Sequence, residues 1–219
     1  MIQKGRVMSV QVKLSRLSND DRLLHIYRAA AKVIHQKGYD ATSLNDIAAV
    51  LGITKGGLYH YINGKQSLLF KIVSYALDLL DAEVVKPVKN MADAEQRLRT
   101  LIELHSTLII DKGIEMTILL DESTGLTSED LATIAKRRNR HYRFVRGIVE
   151  RLKADGKLHP NIDVTIITHN IIGQLQWLAR WYHPGGSLKR KKMIEEFTKS
   201  VLAGVLRQEP QLLAAGKSA

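Results

Sequence analysis

The chain has 219 residues, 45% of them hydrophobic, enough for one large domain or two small ones sharing a core. It contains no cysteine, which excludes disulfides, thiolate catalysis and cysteine zinc sites, and no apolar run approaches the ~18 residues that a membrane span needs. The formal charge of +11 favours polyanionic partners such as DNA, RNA or a phosphorylated ligand.

That charge is uneven: residues 1–65 hold ten Lys or Arg against four acids. Residues 1–17 lack periodicity and are read as a flexible basic arm, with Met8 a second candidate start. No signal-peptide apolar core follows Lys4, Arg6, Lys13 and Arg16, so a cytoplasmic protein is expected. No stretch alternates apolar and polar residues with period two between turn residues, and strands are not expected. The prediction is an all-α chain of about nine helices.

Ser18-Asn-Asp-Asp21 supplies a cap, and Leu23, Tyr27, Ala30, Ala31 and Ile34 trace one stripe of a first helix that Gly38 ends. Ser43 with Asp46 resembles a capping box for a second helix carrying Leu44, Ile47, Ala48 and Leu51, closed by Gly52. Thr54 caps a third through Ile62, before Asn63-Gly64. Three helices with a tight glycine turn between the last two are helix-turn-helix anatomy. Longer amphipathic helices are predicted over 66–85 (stopping before Pro87), 93–112, 114–121, 128–154, 163–182 and 187–207, with a weakly specified tail from Gln208.

A major-groove reader needs a helix whose first turn approaches phosphates and whose groove side is polar or aromatic. Residues 54–65 offer both. Thr54 can cap the helix and leave neighbouring N–H groups for a phosphate oxygen, while Gly56 and Gly57 let a duplex come close. Glycines cost a structural helix ~1 kcal/mol each relative to alanine, so something should offset them. Lys55, Tyr59, His60 and Lys65 supply charge and hydrogen-bonding reach, with Leu58 and Ile62 on the opposite side.

The stretch Gly38-Tyr-Asp-Ala-Thr-Ser-Leu-Asn-Asp-Ile-Ala48, then Leu51-Gly-Ile-Thr-Lys-Gly-Gly-Leu-Tyr-His-Tyr-Ile62, then Lys65 to Leu69, resembles the N-terminal domain of TetR-family regulators. The resemblance implies that Thr42 and Ser43 touch backbone phosphates and that Lys55, Gly56 and Gly57 open the recognition helix. It further implies that Tyr59, His60 and Tyr61 contact phosphates or base edges and that Lys65 clamps a phosphate. Ile62 departs from the family's usual Phe, one apolar packing residue for another. The implied organisation is a DNA-binding domain at 18–65 and an effector-binding and dimerisation domain at 66–207. The implied partners are double-stranded operator DNA, a second copy paired through the last two helices, and a small effector. Dimers of this kind read palindromes with half-sites ~34–36 Å apart.

In the penultimate helix Val164, Ile167, Ile171, Leu175 and Leu178 form one stripe, and Trp177 and Trp181 add a second. In the last, Met193, Phe197, Val201 and Val205 line up, with Ile194, Leu202 and Leu206 alongside. Such wide apolar surfaces are deep core or subunit interface. The run Gln176-Trp-Leu-Ala-Arg-Trp-Tyr-His-Pro-Gly-Gly-Ser187, with Gly156-Lys-Leu-His upstream, resembles TetR regulators that answer acyl-CoA thioesters of fatty-acid, aromatic-acid and steroid catabolism. The bland alternative is a helix corner at the dimer interface.

An acyl-CoA sensor needs an apolar tunnel and cations for the phosphates. Leu101, Leu104, Leu108, Phe144, Ile148 and Trp177 are tunnel candidates, with His105, Asn170 and Gln174 as polar points. Lys136–Arg140 and Lys189–Lys192 are basic runs that either meet phosphates or are solvated faces. No cofactor, metal site or catalytic residue is expected: there is no H-E-x-x-H, Walker loop, G-x-S-x-G elbow or dinucleotide fingerprint. The alternatives are a TetR-like regulator of a different hydrophobic ligand, a helical acyl-CoA-binding enzyme, and a DNA-binding protein without a sensing role.

Overall fold

A computed structural model describes residues 18–121, 124–183 and 185–207. The basic arm, Pro184 and the tail from Gln208 lie outside the described residues. The chain divides into two compact units, one of residues 1–76 with 114–134, the other of 77–113 with 135–219. The fold is all-α, as the periodicity implies.

The first unit begins with α1 (Asn19–Lys37), where the Asp21 N–H donates to Ser18 Oγ at 3.2 Å. Its buried stripe is Ile26, Ala30, Ala31, Val33 and Ile34. Leu23 and Tyr27, placed on that stripe by sequence, are only half-buried, because the helix turns Ile26 and Val33 inward instead. Gly38 closes α1 at φ +80. In α2 (Leu44–Leu51) the capping box is present in both directions: Asp46 N–H donates to Ser43 Oγ at 3.1 Å, and Ser43 N–H to Asp46 Oδ2 at 2.8 Å. Lys37 adds an ammonium 2.6 Å from the same carboxylate. Gly52 then takes the left-handed conformation that ends α2. The third helix, α3, is shorter than predicted, Lys55–Tyr59, and is followed by α4 (Lys65–Leu79). Also in this unit are most of α7 (Gly113–Asp121) and the first turns of α8 (Ser128–Ala154). Arg28 and the buried Glu115 approach to 3.7 Å there.

In the second unit α4 does not stop before Pro87. It passes into a π-helical turn, Leu80–Val85, and a single turn α5 (Lys86–Val88) that contains the proline. The Lys86 N–H bonds back five residues to the Asp81 carbonyl, and such wider turns accommodate a ring that an α-turn would clash with. α6 (Ala94–Asp111) is capped by Asp93, whose Oδ1 accepts from Gln96 N–H at 2.7 Å. It packs on the π-turn, α9 (Val164–Trp181) and α10 (Arg190–Val205). Asp163 caps α9 by accepting from the N–H groups of Thr165 and Ile166. Of the two stripes read from the sequence, Val164, Ile167, Ile171, Leu175 and Leu178 is the buried one. Among the described residues the only β pairing is an antiparallel bridge between Leu158 and Leu206, closed by His159 N–H to Val205 O at 2.9 Å and Arg207 N–H to Lys157 O at 2.8 Å. Periodicity gave no warning of a pairing so short.

Candidate nucleic-acid interface and buried polar core

α3 is held from below. Leu58 is fully buried and Ile62 nearly so, so the opposite side of this segment faces outward. Thr54 caps the helix, its Oγ1 accepting from Gly57 N–H at 3.0 Å. Lys55, Gly56, Tyr59 and His60 are exposed, Tyr59 at 50%, and Tyr61 is half-buried. An exposed aromatic beside a cation and a bare backbone is a surface suited to a polyanion rather than to the chain's own core.

The two glycines differ. A Cβ on Gly57 would come 3.3 Å from the capping Thr54 Oγ1, so the cap itself presses on that position. A Cβ on Gly56 would meet nothing nearer than the same oxygen at 4.0 Å. Gly56 shows no positive φ, so nothing inside the chain demands glycine there.

Around this helix the predicted phosphate contacts separate. Ser43 is exposed at the start of α2, its hydroxyl donating to Asp46 Oδ2 at 2.6 Å. Thr42 is only 2% exposed and donates its hydroxyl to the Gly38 carbonyl at 2.7 Å. It is therefore placed as a loop lock, its hydroxyl already engaged within the chain. Lys65 is half-buried; its ammonium lies 4.2 Å from the Tyr39 ring centroid and donates to the Asp40 carbonyl at 3.3 Å. Tyr39 is the residue that sequence reasoning missed here. Its ring also lies where a Cβ on Gly125 would fall, 2.1 Å from Cε1.

The effector candidates also split. Leu101, His105 and Leu108 of α6 and Ile148 of α8 are buried, and Leu104 and Phe144 are half-buried, all within the second unit. The Arg97 guanidinium stacks over Phe144 at 4.8 Å from the ring centroid. His141, which the sequence reading passed over, meets His105 edge to face with ring centroids 5.5 Å apart. Its spacing held the signal: with Ile134, Val145, Ile148 and Leu152 it shares the buried phase of α8. Burial pulls both imidazoles down, His105 to about 3 and His141 to about 4. The neighbouring His141 adds to the first shift, and the Asp81 charge opposes the second.

Asn170, Gln174 and Trp177 are not brought to this core. All three are exposed on α9, Trp177 at 62%, away from the buried Ile167, Ile171 and Leu175 of the same helix. Two apolar stripes on one helix compete for the interior, and the aliphatic one occupies it. The basic runs are surface features: Lys136 and Arg140 are exposed, Arg137 pairs with Asp78 and Asp81, and Arg190 with Asp111. Among the described residues no group of three His, Cys, Asp or Glu is set to hold a metal, and no helix is long and apolar enough to cross a membrane.

Comparison with known proteins agrees with this geometry. Residues 26–72 match the family described as bacterial regulatory proteins, tetR family, and residues 91–205 match the tetracyclin repressor-like C-terminal domain. The transcriptional repressor KstR2 of Mycolicibacterium smegmatis is 26% identical over 194 residues, 88% of this chain and 93% of that protein. The crystal structure of AibR in complex with isovaleryl coenzyme A and operator DNA superposes with a TM-score of 0.74 at 30% identity, covering 81% of this chain and 96% of that one. KstR2 of Mycobacterium tuberculosis, described as a ketosteroid transcriptional regulator, gives 0.78 at 26% identity, over 85% and 96% of the two chains. These families and relatives are transcriptional regulators, not enzymes. The chain belongs to the TetR family of DNA-binding transcriptional regulators.

Proposed function

We propose that the protein is a repressor that binds a palindromic operator as a homodimer and releases it when an acyl-CoA thioester occupies the helical body. The observation that carries this reading is the outward surface of α3, where Lys55, Gly56, Tyr59 and His60 are exposed and the fold itself has no use for a glycine at 56. Residues 18–65 act as the DNA-binding part and 66–207 as the effector-binding and pairing part. Pairing is supported by the exposed stripe Ile166, Trp177 and Trp181 on α9 and by exposed Ala203 and Gly204 on α10, apolar and small residues of the kind that interfaces cover.

The effector reading rests on the likeness to AibR, whose structure holds isovaleryl coenzyme A, and on the buried apolar residues Leu101 and Leu108 of α6 and Ile148 of α8. The mechanism is a population shift. Free dimers favour operator spacing, and the effector prefers dimers that lack it. A hundredfold loss of occupancy takes only about 3 kcal/mol of differential affinity.

The test is footprinting on the DNA flanking the gene, followed by anisotropy titration with isovaleryl-CoA and longer acyl-CoA thioesters. A protected palindrome released by one thioester, and not by free coenzyme A, is the expected result. Uniform, sequence-blind protection overturns the operator reading. Release by a free hydrophobic acid but by no thioester overturns the effector.

A further inference from the structure

Three ring nitrogens in the second unit have no partner. His105 and His141 are 4% and 8% exposed, and neither Nδ1 of His105 nor either nitrogen of His141 makes a hydrogen bond among the described residues. Folded proteins leave few buried polar groups unsatisfied, because each costs about 1–3 kcal/mol. Two histidines touching edge to face in one core concentrate that cost at one place. Leucine or phenylalanine would fill the same seam without it. The two rings come from different helices, α6 and α8, next to the fully buried Leu101 and Val145.

We infer that His105 and His141 form the polar recognition point of a ligand site between α6 and α8, and that they take an uncharged oxygen, a carbonyl or a hydroxyl, on the ligand's apolar part. This deepens the effector reading above and rests on its placing the ligand in the helical body.

The chemistry selects the class. Burial keeps both imidazoles neutral, so each ring offers one N–H donor and one bare nitrogen. A carbonyl accepts from the donor, and a hydroxyl uses both. An anion is disfavoured, since neither neutral ring supplies a balancing charge and the Asp81 carboxylate already lies close enough to act on His141. A bare hydrocarbon would leave the nitrogens as costly as they are now. The ligand's acyl group is therefore an oxygenated one, or one whose thioester carbonyl reaches this point.

The test uses the full-length protein with 15N-labelled histidine and three probes of similar size: cyclohexanone, cyclohexanol and methylcyclohexane. The ring signals are assigned from the His105→Leu and His141→Leu variants. Cyclohexanone or cyclohexanol should move the signals of both buried rings in the wild-type protein and bind at least tenfold tighter than methylcyclohexane. A double His105→Leu/His141→Leu variant should lose that preference. The stronger of the two oxygenated probes tells carbonyl from hydroxyl. Equal binding of all three probes, or signals that stay still because ordered water alone satisfies the rings, overturns the inference. In the wild type the two buried rings are also told from the other histidines by staying neutral at pH 5, so a poorly folding variant does not protect the inference. Failure of every CoA thioester to release DNA, with these shifts intact, would sink the thioester reading and leave this one standing.

Discussion

At the scale of single residues, two glycines carry opposite lessons. Gly56 costs helix stability and meets nothing of its own chain, so Gly56→Ala should raise the unfolding free energy by about 0.5–1 kcal/mol while weakening operator binding tenfold or more. Calorimetry and anisotropy on the same preparation check both signs; tighter DNA binding by the alanine variant would remove the close-approach role. This position was legible in the sequence, because a capping threonine two residues before a Gly-Gly pair has few structural uses. Gly125 was not legible. It is buried, and its constraint comes from the Tyr39 ring, a contact that local pattern cannot reveal. In Gly125→Ala the ring must move, and with it the seat of the Lys65 ammonium, 4.2 Å from the ring centroid. With Lys65 as a phosphate clamp, Gly125→Ala lowers operator affinity about three- to tenfold. Added to Lys65→Met it lowers it little further, because the two changes act on one contact. Full additivity in that double-mutant cycle would show that the ring does not act through the lysine.

At the scale of elements, most helix ends were legible because their caps are chemical. Ser18, Ser43, Thr54, Asp93 and Asp163 each accept from an early backbone N–H, and Gly38, Gly52 and Gly156 hold left-handed or otherwise positive φ values at or just beyond helix ends. The π-turn at Leu80–Val85 was not, since the stretch ahead of Pro87 was expected to end as an ordinary helix. Periodicity likewise found both stripes of α9 but could not rank them. The aliphatic stripe went inward, leaving Ile166, Trp177 and Trp181 at 57%, 62% and 40% exposure. That leftover face makes Trp177 a candidate anchor for a second copy. Buried tryptophans at interfaces are often worth 2 kcal/mol or more, so Trp177→Glu should weaken self-association roughly thirtyfold. Sedimentation should then show monomer at concentrations where the wild type pairs, with the single chain's helicity unchanged. An unaltered sedimentation profile would take pairing away from α9.

At the scale of the whole molecule, the buried histidines and the capping carboxylates divide the acid limb of stability into two windows. His105 and His141 have ordinary values of 6.5 and folded values near 3 and 4, so between these limits the unfolded chain binds protons that the folded one refuses. Stability from this source is intact above about pH 6.5 and is lost as the pH falls toward 4. The groups bearing on the pair are these: His141 acts on His105 across 5.5 Å, and Asp81, itself tied to Arg137, acts on His141. The carboxylates work lower. Asp46 is held well below 3.8 by Lys37 and Ser43, Asp93 by the Gln96 N–H and Lys157, and Asp163 by the N–H groups of Ile166 and Thr165. Their contribution is present above about pH 4 and lost only beneath it, and because all three are exposed it is small. Lowering the pH from 7 to 5 therefore isolates the histidines, at about 2 kcal/mol each. For a chain of this size that is a fall in melting temperature on the order of 10 °C. The His105→Leu/His141→Leu protein should melt at nearly the same temperature at both pH values and diverge from neutral behaviour only below pH 4. A wild-type curve flat from pH 7 to 5 would mean the rings are already satisfied or already wet, and the cost ascribed to their unpaired nitrogens would vanish with it.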